Sequence, residues 1–172
     1  MRELMSTVFY RGEPLNTSRE LPFVGDTAPF FTLADKNIAD LSLDDLNGKN
    51  IILNIFLSIH IPECAQSIRD FNLIAAKNSN IIFLCVSADL PLSMREFCER
   101  EGLDYIQTAS FFRNTNFTDD YGVSIDSGAF RGLSTPAIIS INNNQEICYS
   151  KRVTNIEAFY NYHDAITSLK PR

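Results

Sequence analysis

The chain of 172 residues contains no tryptophan, two histidines and four cysteines, and this scarcity excludes several classes of function. No Cys-x-x-Cys occurs, and no Cys or His pair stands at ligand spacing, so no metal site is expected. Four cysteines this far apart do not make the disulfide framework of a secreted module. Lys and Arg number 15 against 21 Asp and Glu, a net charge of −6, and no run of cations exceeds two. Neither nucleic acid nor an anionic membrane surface is an expected partner for such a chain. The first fifteen residues carry Arg2, Glu3, Arg11 and Glu13 without an apolar block, so no signal peptide is expected. No apolar run approaches the length of a membrane span, which leaves the cytoplasm as the simplest location.

What is present is an ordinary globular balance, 45% hydrophobic and 21% charged, on a chain long enough to bury its own core. The expectation is one domain over residues 1–172, with residues 6–33 as a β-hairpin extension. There Val8 and Tyr10 lead into a Gly12-Glu13-Pro14 turn, and Val24 to Pro29 reads as an extended connector. Two short apolar runs, 51–57 and 81–87, suit central strands covered on both faces. Between them Cys64, Ile68, Phe71 and Ala75 recur at helical spacing, completing a strand–helix–strand unit. A second helix follows Pro91, with Leu90, Met94, Phe97 and Cys98 on one face and Gly102 as its stop. Residues 137–141 and 146–150 flank an Asn-Asn-Asn-Gln turn and read as a hairpin. Thr154 with Glu157 fits a capping box that opens a last helix along Ile156, Phe159, Tyr160, Ile166 and Leu169. The fold class is therefore α/β, with a central mixed sheet flanked by helices.

Cys64 falls in the first turn of its helix, where unpaired backbone N–H groups and the helix dipole favour thiolate, the nucleophilic form of sulfur. Cys98, on the next helix, is a candidate to resolve the oxidised product as a disulfide. Both also fit a plainer description as small apolar side chains on buried stripes. Cys85 reads as an inert thiol within its strand, and Cys148 has no motif around it.

Several motifs together carry a family resemblance. They are Gly12-x-Pro14-Leu15, Leu53-Asn54-Ile55-Phe56, Cys64-Ala65-x-Ser67-x-Arg69-x-Phe71-Asn72 and Ser87-Ala88-Asp89-Leu90-Pro91. Arg95-Glu96-Phe97-Cys98, Glu101-Gly102-Leu103, Tyr121-Gly122-Val123 and Gly132-Leu133 extend the pattern across nearly the whole chain. The sequence resembles the atypical two-cysteine thiol peroxidases, a branch of the peroxiredoxins. That resemblance implies a thioredoxin-like fold, a homodimer, peroxide as substrate, thioredoxin as reductant and no cofactor. It makes Cys64 the peroxidatic and Cys98 the resolving cysteine.

The same comparison exposes departures. Leu57 stands at the family's loop proline, Ile61 at its catalytic threonine and Pro136 at its catalytic arginine. Breaking an O–O bond drives negative charge onto the departing oxygen, and Ile61 and Pro136 have no donor to meet it. His60, Arg69 and Arg131 are the candidate electrostatic substitutes, and Arg69 matches a family position; His60 also fits a solvated loop residue. Weakened peroxidase chemistry is the expectation. Two alternatives stay open: thiol–disulfide exchange through Cys64, Cys98 and a thioredoxin-like Thr135-Pro136 loop, and a non-catalytic dimer that binds a partner.

Overall fold

The two apolar runs form β5 (Asn50–Ile55) and β6 (Ile81–Ser87), which pair in parallel, Ile51 opposite Ile82 and Ile55 opposite Val86. The computed structural model describes residues 6–17, 19–157 and 160–171. Its seven-stranded mixed sheet runs in the order β4-β3-β7-β6-β5-β8-β9. Here β3 is Thr32–Asp35, β4 Asp40–Ser42, β7 Gln107–Ser110, β8 Ala137–Ile141 and β9 Ile147–Arg152. A separate hairpin pairs β1 (Ser6–Tyr10) with β2 (Glu13–Thr17), Val8 opposite Leu15. The chain leaves that hairpin along an irregular connector and enters the main sheet at Thr32.

Because side chains alternate along a strand, β5 sends Ile51, Leu53 and Ile55 to one face and Ile52 and Asn54 to the other. The first face packs against Phe111, Phe117 and Tyr121 around α3 (Asn116–Asp120). The second lies under α1 (Pro62–Ala75), α2 (Pro91–Glu101) and α4 (His163–Ser168). On α1 the stripe of Cys64, Ile68, Phe71 and Ala75 is buried, as its spacing requires. Gly102 ends α2 in the left-handed conformation. This is the expected thioredoxin-like arrangement with an N-terminal hairpin.

Two local expectations differ. Leu90 caps α2 and is exposed, so only Met94 and Phe97 of the expected face are fully buried. The last helix does not open at Thr154. That residue sits in a bend, its carbonyl accepting from Phe9 N–H, and Asn155 bridges Phe9. Docking against the N-terminal hairpin outweighs the local capping signal, and α4 begins only at His163. Phe159, assigned to that helix from its spacing, lies outside the described residues. The edge strand β4 and the next strands inward, β3 and β7, carried too few residues to stand out by periodicity.

Gly122 of the Tyr-Gly-Val motif has φ +69°, and a Cβ there would meet the Glu20 carbonyl oxygen at 1.9 Å. Backbone cannot retreat as a side-chain tip can. Gly122→Ala is expected to lower stability by about 3 kcal/mol, from the left-handed φ and the overlap together. Chemical denaturation measures it; a loss below about 1 kcal/mol would mean that the connector yields freely.

Candidate active site

The end of β5 and the start of α1 build the site. Ile61 is the N-cap of α1, extended at φ −90° and ψ 121°, and Pro62 supplies the fixed φ that begins the helix. Ile61 has no oxygen to accept from the first-turn amides, so no side chain caps this helix. Cys64 is the third helical residue and has no exposed surface. Leu57, Ile59 and Ile61 are buried in the same cluster.

Burial is the largest influence on the Cys64 thiol and pushes its pKa up, since a thiolate loses its hydration there. Backbone N–H groups of Ser58 and Leu57 oppose that effect, and the Asp89 and Glu63 carboxylates reinforce it. Among the described residues, no cation is a cause of the shift.

Asp89 orders the loop that carries this strand into the helix. One carboxylate oxygen accepts from Ser58 Oγ at 2.9 Å, the other from Ile59 N–H at 2.9 Å and Ser87 Oγ at 2.7 Å. Ser58 Oγ in turn accepts from His60 N–H at 3.2 Å. The positioning role of Asp89 was missed in the sequence, although Ser87-Ala88-Asp89 lay inside a quoted motif. A Ser-x-Asp run at a strand end was the available signal.

The candidate cations lie as follows. Arg69 makes a bidentate pair with Glu101, at 2.6 and 2.9 Å, which ties α1 to the last turn of α2. Its guanidinium also rests over the Phe97 ring at 5.7 Å. His60 is exposed and lines a cleft of about 360 Å³ with Ile59, Ala65, Arg69, Phe97 and Arg100. Arg131 is exposed in a turn closed by its own N–H bond to the Gly128 carbonyl.

Cys98 is half-buried near the C-terminal end of α2, its carbonyl accepting from Leu103 N–H at 2.9 Å. Burial first, with Asp104 and Glu99 adding, pushes its thiol up to about 11, while Lys36 pulls the other way. All four cysteines are thiols. Cys85 is fully buried in β6, beside the side chain of Asn54.

The Thr135-Pro136 segment is engaged on every side. Thr135 N–H bonds the Val123 carbonyl at 2.8 Å, and the Pro136 carbonyl accepts from Val153 N–H at 2.9 Å. Ser134 Oγ donates to the Phe56 carbonyl at 2.8 Å, and Arg152 clamps the Thr135 hydroxyl. No cis peptide bond occurs among the described residues. The open, peptide-pairing proline loop suggested by Thr-Pro is thus replaced by a buried, internally bonded one.

The closing segment of the chain adds a group with no sequence signal. The Tyr160 hydroxyl oxygen is shielded from solvent and makes no hydrogen bond among the described residues, and burial first, with Cys64 and Glu63 adding, holds its pKa above the usual phenol value. Sequence reasoning placed Tyr160 on the face of a helix that does not form there.

Residues 23–166 match the family described as Redoxin. A thiol peroxidase of Mycobacterium tuberculosis is 40% identical over 165 residues, which cover 96% of this chain and 99% of that relative. Among solved structures, the thiol peroxidase from Chromobacterium violaceum superposes with a TM-score of 0.87 at 26% identity, covering 94% of this chain and 93% of the other. A peroxiredoxin-like protein from Aquifex aeolicus gives 0.86 at 27% identity, covering 95% of each.

Proposed function

The chain belongs to the Redoxin family and is a thiol peroxidase of the peroxiredoxin type, and from that premise we propose that Cys64 is its peroxidatic nucleophile and Cys98 its resolving thiol. The observation that carries this reading is the placement of Cys64 in the first turn of α1, at the end of the central strand β5. After losing its proton to solvent, the Cys64 thiolate attacks one peroxide oxygen. An S–O bond forms as the O–O bond breaks, the sulfur is oxidised to sulfenic acid, and the departing oxygen takes a proton. The Cys98 thiol then attacks that sulfur, closing a disulfide and releasing water.

Cys64 is sealed in the core and Cys98 lies on a different helix, so the helix ends must open before the sulfurs meet within disulfide reach. The Arg69–Glu101 pair spans the two helices and must give way in that opening. Arg69 on this reading steadies the reduced fold, and His60 and Arg131 remain the candidates for electrostatic support of the thiolate. Thioredoxin is the reductant this chemistry calls for, and hydrogen peroxide or an organic hydroperoxide the substrate. A homodimer of single-domain chains is the assembly, and the connector offers it exposed Phe23, Val24 and Phe30. The cytoplasm is the proposed location; among the described residues no helix is long and apolar enough to cross a membrane. Peptide mapping after one equivalent of hydrogen peroxide is expected to find a Cys64–Cys98 linkage. Recovery of both as separate thiols or sulfinic acids would overturn the resolving step.

A further inference from the structure

Asn54 interrupts the apolar run of β5, and it is fully buried. A polar side chain there needs a partner, and it finds one on α1. Asn54 Nδ2 donates to Ser67 Oγ at 3.4 Å, and Ser67 Oγ donates in turn to the Cys64 carbonyl at 2.7 Å. All three residues are at most 2% exposed. Asn54 Oδ1, the other end of the same carboxamide, is shielded and has no hydrogen-bond partner among the described residues.

From Ser67 onward α1 is fastened to several elements. The Ser67 carbonyl accepts from the Tyr162 hydroxyl at 3.2 Å. The Phe71 ring lies 4.8 Å from that of Phe83 on β6 and 4.9 Å from that of Tyr162. Asn72 Oδ1 accepts from Tyr105 N–H at 2.9 Å. Ahead of Ser67 the helix begins at an uncapped Ile61, and the Ser67 hydroxyl is the side chain that holds the Cys64 carbonyl.

A hydroxyl carries one hydrogen, so Ser67 donates either to the Cys64 carbonyl or to Asn54, and not to both. Resting on the assignment of Cys64 and Cys98 as the reacting pair, we propose that Asn54 and Ser67 are positioning residues. They form a two-state switch that governs how readily the Cys64 turn opens for the attack by Cys98, with Ser67 as the boundary of the opening. In the closed state the Ser67 hydrogen is committed to Cys64, and the carboxamide presents Nδ2 to the hydroxyl oxygen. When the turn opens, the Cys64 carbonyl passes to solvent. The carboxamide turns about its last torsion, and Oδ1 takes the Ser67 hydrogen. The Asn54–Ser67 bond reverses direction and survives in both states. Without Asn54, opening strands a buried hydroxyl hydrogen and becomes about five- to a hundredfold rarer. Without Ser67, the closed state loses its bond to Cys64, and opening becomes about two- to tenfold commoner.

Opening competes with a second peroxide. A sulfenic acid that Cys98 has not reached attacks another hydrogen peroxide: a second S–O bond forms as the O–O bond breaks, leaving sulfinic acid and water. The test compares Asn54→Leu, which keeps side-chain volume and removes both polar ends, with Ser67→Ala. Amide hydrogen exchange of the reduced protein is read on peptides covering residues 62–68. It is expected to slow at least about fivefold in Asn54→Leu and to quicken at least about twofold in Ser67→Ala. The hydrogen peroxide concentration that converts half of Cys64 to sulfinic acid is expected to fall in the first variant and rise in the second. Should Asn54→Leu fail to fold, Asn54→Val carries the same arm, as a residue suited to a buried strand. A merely structural bond would loosen the turn in both variants. Shifts of one sign in both, or exchange in either within about 1.5-fold of the unaltered protein, overturn the proposal. Exchange is read without peroxide, so it decides the switch even if mapping finds no Cys64–Cys98 linkage and the resolving assignment fails.

Discussion

Cys64→Ser is expected to lower peroxide reduction by on the order of 10⁴ or more, because a hydroxyl cannot replace the thiolate that attacks the O–O bond. The side chain is fully buried and similar in size, so the variant should keep its fold. Cys98→Ser is expected to act differently. One equivalent of peroxide is still consumed, a dimedone adduct forms on Cys64, and thioredoxin-coupled turnover fails. Cys85 is sealed in β6 and Cys148 lies on β9, and serine at either position should leave the rate within about twofold. Peroxide consumption with and without thioredoxin, followed by mass spectrometry of the trapped thiols, separates these outcomes. A Cys64→Ser protein that still turns over, or a Cys85 variant that does not, would remove Cys64 from the centre of the mechanism.

The second large effect is on pH. Burial, reinforced by Asp89 and Glu63, holds the Cys64 thiol above its ordinary value, while the two backbone amides only partly offset it. A raised pKa means that thiolate is the minor form at neutrality and grows about tenfold per pH unit below the midpoint. The rate constant with hydrogen peroxide is therefore expected to climb about 100-fold between pH 6 and pH 8, where an activated cysteine would already be flat. Ile61→Thr with Pro136→Arg should lower the midpoint and raise the rate at pH 7. Ile61 caps the helix in an extended conformation, which places a threonine oxygen at the uncapped first turn. Pro136 immediately precedes Ala137, which pairs with Ile55 at the end of β5, so an arginine there stands beside the loop leading to Cys64. A rate in the unaltered protein that is fast and level from pH 6 to pH 8 would show that another donor has fully replaced the missing pair.

The motif residues were legible because chemistry and backbone geometry constrain them locally. Cys64 one turn into a helix after an apolar strand, Pro91 opening the next helix and Gly102 closing it each follow from short-range rules. Asp89 was visible only as part of a motif. Its function depends on Ser58 and Ile59, some thirty residues away, and no local pattern encodes that bond. Arg69 matched a motif position, but its partner Glu101 comes from another helix. The capping box at Thr154 failed for the same reason: pairing of the Thr154–Ile156 segment with Phe9 is a long-range event that outweighed a local preference.

By itself the amino-acid sequence determined the central strands and the two helices that carry Cys64 and Cys98. These follow from hydrophobic period, helix punctuation and residue identity, all of which act over a few neighbours. Only the tertiary structure decided that Cys64 is sealed from solvent and that the Thr135-Pro136 segment is bonded shut. Burial and hydrogen-bond partnership depend on which distant segments meet. The charge state of a thiol depends on those meetings more than on its position in a helix.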